Sequence, residues 1–334
     1  MINIGVVGYG YWGPNLVRNF SKNQDSTVTV VSDLSEANRN KAAADHNVKT
    51  TEDYLTVVTD PDIDAVVIAT PVYSHFEIAQ KALSNGKHVL LEKPMASTVE
   101  ECQILNDLAD EKGLVLMVDH TFLYTGAVQQ LAKLIKNDHL GELMYLDSTR
   151  INLGLLQPDI NVLWDLAPHD LSILLHLIKG RPKSVQATGI SHTSNGIENI
   201  AYMTVNFEEG FIAHFNCSWT SPVKIRQMLI GGNKKMIVYN DMEPTEKIKI
   251  YDSGFDVRTD DEKRNILVDY RVGDIHTPKV DMKEALSGLA IDFTSAILDS
   301  SYQPISSKEL GLTVVKILEA SNESLKQGGA EIML

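Results

Sequence analysis

Three short stretches of this chain bring together residue types that do chemistry. The first is Gly8-Tyr9-Gly10-Tyr11-Trp12-Gly13, which follows the apolar, β-branched run Ile2–Val7 and precedes Pro14 and a mixed run over residues 15–20. A G-x-G-x-x-G between a strand and a helix lets the backbone turn tightly and approach a pyrophosphate, and the helix N-terminus supplies N–H donors to that anion. A second apolar run, residues 27–31, leads to Asp33, twenty residues after Gly13. A carboxylate there can accept hydrogen bonds from both hydroxyls of an adenosine ribose. The second stretch is Glu92-Lys93-Pro94 at the end of another apolar run, supported by Thr70-Pro71 and His75 beyond the strand before it. The third is Trp164-Asp165-Leu166-Ala167-Pro168-His169-Asp170, where Asp165 and His169 are four apart and share a helix face. A dinucleotide site, an amine and a carboxylate–imidazole pair able to carry protons are the functional vocabulary of the chain.

Each reading has a plainer competitor. The glycine turn could be a tight βα connection without a ligand, but strand, spacing, helix start and acid all agree on a dinucleotide. Asp33 favours NAD over NADP, because a 2′-phosphate would meet a carboxylate and neither Leu34 nor Ser35 can receive it; Arg39 is the nearby cation that could. Lys93 could be a strand-end surface lysine. Pro168 suits a helix start, so Asp165 could simply lie at or before the cap, with Asp170 adding N-terminal electrostatics. His75, after Ser74, could be plain surface. His88 and His176 read as structural.

The elements that must position these groups alternate. Residues 2–7, 27–31, 48–50, 65–69, 87–91 and 114–118 read as buried strands, with helical segments between them. Ser74-x-x-Glu77 and the overlapping Ser97-x-x-Glu100 and Thr98-x-x-Glu101 offer capping boxes. This alternation predicts an α/β fold with a doubly wound parallel sheet of Rossmann type. Ligands bind such a sheet beyond the carboxyl ends of its strands, where Gly8, Asp33, Thr70, Lys93 and His120 all fall. After residue 121 the pattern changes. A helix over 126–136 precedes apolar–polar alternations at 142–152, 184–192, 200–207, 211–219, 226–231, 235–239 and 247–251, which predict one large open antiparallel sheet. A helix over 165–178 interrupts them, and 281–298 and 306–327 read as closing helices. Residues 253–280 are polar and charged and receive no element. Two domains are expected, 1–121 and 122–334.

Composition bounds the partners. The 334 residues are 43% hydrophobic and 22% charged with a net charge of −14, ordinary for a globular protein and unsuited to nonspecific nucleic-acid or anionic-membrane binding. Cys102 and Cys217 are far apart and match no metal spacing, as expected of thiols in a reducing cytoplasm. No stretch reaches membrane-spanning length, and the N-terminal strand leaves no room for a signal peptide.

Taken together, the fingerprint, residues 86–94 and residues 164–170 resemble the glucose–fructose oxidoreductase / inositol dehydrogenase (Gfo/Idh/MocA) family of nicotinamide enzymes over nearly the whole chain. The resemblance implies a Rossmann domain followed by an α/β domain with an open antiparallel sheet. It also implies NAD(P)-linked oxidation or reduction of a sugar or cyclic alcohol, in a homodimer or homotetramer through that sheet. Lys93 matches the family's lysine near the nicotinamide and the reacting carbon, where it can exchange protons near neutrality; the Lys93–Pro94 bond is expected to be cis. His169 matches the catalytic histidine. It takes the hydroxyl proton while Lys93 polarises the oxygen, or the roles are reversed, and Asp165 binds substrate or orients the charged pair. The implied cofactor contacts are Gly8, Gly10, Tyr11, Trp12, Gly13, Asp33, Thr70, Pro71, His75, Glu92, Lys93 and His120. Substrate contacts are expected from Lys93, Tyr124, Arg150, Asn152, Trp164, Asp165 and His169. No metal is expected, since the lysine serves as electrophile. Residues 8–15 and 161–170 look most like members acting on nucleotide-linked sugars, which oxidise C3 of a UDP-N-acetylglucosamine-type sugar. The alternatives are a ketoreductase of a 3-keto nucleotide sugar, a dehydrogenase of a free sugar or cyclitol, and a catalytically silent NAD-binding sensor.

Overall fold

The computed structural model describes residues 1–154, 156–256 and 269–334. The chain divides into two compact units: residues 1–124 with 283–316, and residues 125–282 with 317–334.

In the first unit, six strands form a parallel sheet. They are β1 (Ile2–Val7), β2 (Ser26–Ser32), β3 (Lys49–Thr51), β4 (Ala65–Ile68), β5 (His88–Glu92) and β6 (Leu116–Asp119), in spatial order β3-β2-β1-β4-β5-β6. This is the doubly wound order, with its switch point between β1 and β4. The strands are apolar throughout because a parallel sheet is buried on both faces; every residue of β4 is buried. Helix α1 (Gly13–Lys22) lays Leu16, Val17 and Phe20 into the core. The helices α2 (Glu36–His46), α3 (Leu55–Val58), α4 (His75–Ser84) and α5 (Val99–Lys112) complete the alternation.

The local signals held unevenly. Thr98 caps α5 by accepting from the Glu101 amide at 3.1 Å, and the Glu101 carboxylate returns to the Ser97 amide at 2.9 Å. The box expected at Ser74 and Glu77 does not form. Ser74 Oγ donates instead to Thr70 Oγ1 and the Pro71 carbonyl, both at 2.8 Å, while Glu77 accepts from Tyr54.

The two-domain division at residue 121 needs correcting at the far end of the chain. Residues 283–316, placed with the second domain on the sequence, cluster with the first unit. The reason is packing that no local pattern reveals. Phe293 meets Phe20 edge to face with ring centroids 6.0 Å apart, and Arg18 holds Glu284 at 2.5 and 3.1 Å.

The second unit is built on a nine-stranded sheet of β7 (Leu143–Leu153), β8 (Pro182–Ile190), β9 (Ile200–Phe207), β10 (Ile212–Ser218), β11 (Thr220–Gly232), β12 (Met236–Asn240), β13 (Ile248–Asp256), β14 (Asp269–His276) and β15 (Ile332–Met333). Its order is β14-β13-β12-β11-β7-β10-β9-β8-β15. Alternate residues face the core, as Ala201, Met203, Val205 and Phe207 do in β9 and Ala213, Phe215 and Cys217 do in β10. The sheet is mixed rather than wholly antiparallel, since β7 and β10 pair in parallel. Helix α7 (Val162–Leu177), which follows α6 (Gly126–Lys136), is a crossover that returns the chain to β8 in the direction of β7. The β8-β9-β10 meander then folds back and lays β10 beside β7. Of residues 253–280, which gave no signal, 253–256 end β13 and 269–276 form β14 paired to it, while 257–268 lie outside the described residues. The closing helices are α8 (Ala285–Leu298) and α9 (Lys308–Lys326).

Candidate active site

The dinucleotide half is built at the carboxyl end of the parallel sheet. Gly8 has φ +98°, and a Cβ there would sit 2.5 Å from the Ala69 carbonyl oxygen. A Cβ on Gly13 would sit 2.4 Å from the Gly8 carbonyl oxygen. Both glycines are therefore demanded by the tightness of the turn. Gly10 has nothing within 4 Å of the position a Cβ would take, which leaves room for a pyrophosphate at the mouth of the turn. Helix α1 has Pro14 in its first turn, no side-chain cap and no acid there; the Asn15 and Leu16 amides already donate to the Trp12 carbonyl at 3.0 and 3.2 Å, so what the helix start offers an anion is its positive end, with no competing side chain. Tyr11 and Trp12 are exposed and meet edge to face at 5.2 Å. Tyr9 points the other way, into the core, where burial and Asp45 push its hydroxyl up to about 12.

Asp33 is locked to this turn. Its Oδ2 accepts from the Tyr9 amide at 2.6 Å, and its Oδ1 accepts from the Ser35 amide at 2.8 Å and from Asn38 Nδ2 at 3.2 Å. Arg39, the cation that could have received a 2′-phosphate, donates to the carbonyls of Asp33 and Leu34 at 2.8 and 2.9 Å and faces Glu52 at 3.6 Å. These residues fit an NAD-type dinucleotide.

Farther along the same sheet edge, His75 proves to be no surface residue. It is fully buried, with Nε2 2.8 Å from the Thr70 carbonyl and Nδ1 3.0 Å from the Pro94 carbonyl. It thus ties the Thr70-Pro71 loop to the Lys93-Pro94 loop, whose peptide bond is cis. Burial holds the imidazole pKa below its ordinary value, although the two carbonyls pull the other way. Lys93 is partly exposed just past β5. Glu92 is buried, and His120 just past β6 is buried with neither ring nitrogen hydrogen-bonded among the described residues. Burial and the Lys93 charge push His120 down to about 3, so the ring is neutral. His88 is structural, its Nδ1 accepting from the Val115 amide at 2.9 Å.

Tyr124, expected to touch substrate, has another occupation. Its hydroxyl donates to Asp292 Oδ2 at 2.7 Å, and Asp292 also accepts from Tyr302 at 2.6 Å and the Ile305 amide at 2.9 Å.

In the second unit the acid–imidazole pair stands on α7. The helix is capped by Asn161, whose Oδ1 accepts from the amides of Leu163 and Trp164 at 3.2 Å. It therefore starts six residues before Pro168, which lies inside it. The capping alternative for Asp165 falls, since a stronger cap stands upstream and Asp165 belongs to the first turn. Its Oδ2 accepts from Trp219 Nε1 at 2.9 Å, a partner contributed by the distant junction of β10 and β11. Trp164 is buried, and its Nε1 has no acceptor among the described residues. Asn152 is partly exposed near the end of β7.

Asp170 is not helix-terminus electrostatics either. It is buried and binds Arg150 through Nε at 3.0 and 3.1 Å and Nη2 at 2.5 Å, with Ser148 Oγ at 2.8 Å. Burial opposes the Arg150 charge, but Asp170 holds its pKa above the ordinary value. The guanidinium expected at the substrate thus anchors α7, and His169 with it, to β7. Sequence reasoning missed Trp219, the anchoring role of Asp170 and the carboxylate Asp119. Only the last left a local trace, as an acid ending an apolar strand just as Glu92 does. Among the described residues no group of three or more His, Cys, Asp or Glu side chains is placed to hold a metal ion, and no helix is long and apolar enough to cross a membrane.

Comparison with known proteins agrees with this geometry. Residues 2–120 match the family model for the oxidoreductase family with NAD-binding Rossmann fold, and residues 128–238 match the Gfo/Idh/MocA C-terminal domain. A 2,7-anhydro-N-acetylneuraminate hydratase of Escherichia coli is 28% identical over 268 residues, 75% of this chain and 70% of the relative. The UDP-N-acetylglucosamine 3-dehydrogenase of Acidithiobacillus ferrooxidans is 34% identical over 173 residues, 51% of this chain and 53% of that one. A solved structure of that dehydrogenase shares the fold, with a TM-score of 0.80 at 24% identity and 98% of each chain covered.

Proposed function

The chain belongs to the Gfo/Idh/MocA family of NAD-binding oxidoreductases, and from that premise we propose that it oxidises the C3 hydroxyl of a nucleotide-linked sugar, UDP-N-acetylglucosamine or its uronic acid, to the 3-keto sugar. The observation that carries this reading is the 34% identity to a UDP-N-acetylglucosamine 3-dehydrogenase. The presence of both Lys93 and the Asp165–His169 pair, which a silent sensor would not need, supports it.

The turn from Gly8 to Gly13 and the start of α1 hold the pyrophosphate, and Asp33 takes the adenosine ribose. Bound NAD supplies the hydride acceptor. The sugar hydroxyl must lose its proton as its C–H bond breaks, and Lys93 and His169 are the acid–base groups for that transfer: one receives the proton and the other polarises the oxygen. Asp165, itself held by Trp219, orients the imidazole. Arg150 and Asp170 fix the helix that carries it.

The test is a panel of UDP- and dTDP-sugars with NAD, followed by nicotinamide absorbance, with the product identified by mass. UDP-N-acetylglucosamine or its uronic acid should yield a product lighter by two hydrogens and ketonic at C3. Turnover of free sugars or cyclitols alone sinks the nucleotide-sugar reading. With the right substrate, Lys93→Met should lower kcat by about 10²–10⁴-fold while leaving NAD affinity within a few-fold. His169→Ala should also lower it, and the double variant should lose much less than the product of the singles. Near-normal kcat with weakened NAD binding in Lys93→Met would make Lys93 a cofactor clamp.

A further inference from the structure

Beside Lys93 lies a pair of acids, Glu92 and Asp119, to which the proton transfer proposed above gives no part. β5 and β6 run in parallel, and their register sets Glu92 opposite Asp119 as the last residues of the two strands. Both are buried, Glu92 at 9% and Asp119 at 2% exposure. Asp119 Oδ1 accepts from Thr121 Oγ1 at 2.5 Å, and Glu92 Oε2 accepts from its neighbour's amide, that of Lys93, at 3.2 Å. Asp119 Oδ2 is buried with no hydrogen-bond partner among the described residues, and the parallel register puts the Glu92 side chain on the same face of the sheet beside it.

Two ionised carboxylates cannot satisfy that contact. Both are acceptors only, and like charges this close cannot both ionise in a buried site. One proton between them converts the clash into a charge-assisted O–H···O bond. The other groups facing the pair do not supply the missing donor. His120 and Thr121 follow β6; the imidazole is neutral, and the hydroxyl is already spent on Oδ1. Tyr124, in the turn after them, gives its hydroxyl to Asp292 of α8. Lys93 is the cation within electrostatic reach of Glu92, Asp119 and His120 alike.

We propose that Glu92 and Asp119 share a single proton, and that the one negative charge left on the pair is the counter-charge that positions Lys93. They are positioning residues rather than catalytic ones, and this role rests on Lys93 acting as proposed above. Burial pushes Glu92 well above the ordinary carboxyl range and Asp119 up to about 6. The titration steps belong to the pair.

The proton can be read without any substrate. Infrared spectra of the full-length protein at neutral pH should contain a protonated-carboxyl band that shifts in deuterium oxide and vanishes in Glu92→Gln. No such band in the wild type, or its survival in the Glu92→Gln/Asp119→Asn double variant, overturns the shared proton. The wild-type spectrum decides this even if a variant folds poorly. The counter-charge is read by kinetics with NAD and UDP-N-acetylglucosamine. Each single amide variant keeps one ionisable carboxyl and should retain kcat/KM within about tenfold. The double variant loses the charge and should fall well beyond the product of the two single losses, and by at least about a hundredfold, the lower end of what a positioned proton carrier contributes. Losses that merely multiply overturn the counter-charge. Absence of turnover in the wild type refutes the substrate reading and leaves the infrared result standing.

Discussion

The anchor between α7 and β7 can be broken one residue at a time. Replacing Arg150 with Met removes a guanidinium whose side chain is 6% exposed and leaves Asp170, 3% exposed, as a buried carboxylate. Asp170 would retain the Ser148 hydroxyl, but not the two guanidinium nitrogens that now reach both its oxygens. Breaking a buried pair in this way typically costs about 3–5 kcal/mol, because the remaining charge is desolvated without compensation. The Ser148 bond is made before and after the change and so offsets none of that loss, and a loss of about 3–5 kcal/mol is expected. Asp170→Leu should cost as much or more, since it leaves the guanidinium buried. The double variant, which replaces the pair with apolar side chains of comparable bulk, should recover most of the loss. The measurement is urea unfolding followed by tryptophan fluorescence. Trp164 and Trp219 belong to the second unit and Trp12 to the first, so a Trp12→Phe background confines the signal to the unit perturbed. A loss below about 0.5 kcal/mol for Arg150→Met, the range of ordinary surface changes, would refute the reasoning and return Arg150 to the list of substrate contacts.

Three further outcomes follow from the first unit. Asp33→Ala should narrow the NAD-over-NADP ratio of kcat/KM by weakening NAD and removing repulsion of the 2′-phosphate; an unchanged ratio would mean another residue reads the ribose. His75→Ala removes the imidazole packed between two loop carbonyls, whose neutral ring donates to one of them in a bond worth about 0.5–1.5 kcal/mol, and should weaken NAD binding in calorimetry through the loosened loops; unchanged affinity would make the clamp irrelevant to the site. His120 is neutral when folded, down to about pH 3, whereas an unfolded histidine takes up a proton below about 6.5. The unfolded state therefore binds more protons in that window, and stability falls as pH drops from about 6.5 towards 3. The loss is about 2 kcal/mol by pH 5. His120→Phe should flatten that part of the pH–stability curve in urea unfolding; an unaltered slope would remove His120 as its source.

Much of the first unit was legible because its signals are local. Apolar β-branched runs, glycines that the turn requires and an acid at fixed spacing are all short-range properties, and a parallel sheet built from βα units keeps strand neighbours close in sequence. The alternation in β9 and β10 was legible for the same reason, since a side-chain period of two survives whatever the strand pairs with. Lys93, Asp165 and His169 stood out by residue type and spacing in the chain.

What the chain alone could not reveal depends on pairings between distant residues. The parallel contact of β7 with β10 arises only once a crossover helix has set the direction of β8. Phe293 belongs with Phe20, 273 positions earlier in the numbering, because an apolar helix face fits one partner surface and no periodicity names which. Arg150 looked free to bind a substrate until the fold brought Asp170 against it, and His75 read equally as a cofactor neighbour or as surface until burial between two loop carbonyls settled that it is not surface. Asp119 is an unremarked acid in the sequence and a proton-sharing partner only when the register sets Glu92 beside it. Local pattern determines which groups exist and which element carries each; burial and neighbours, which only the tertiary structure decides, determine whether a polar group is left for chemistry or spent on holding the fold.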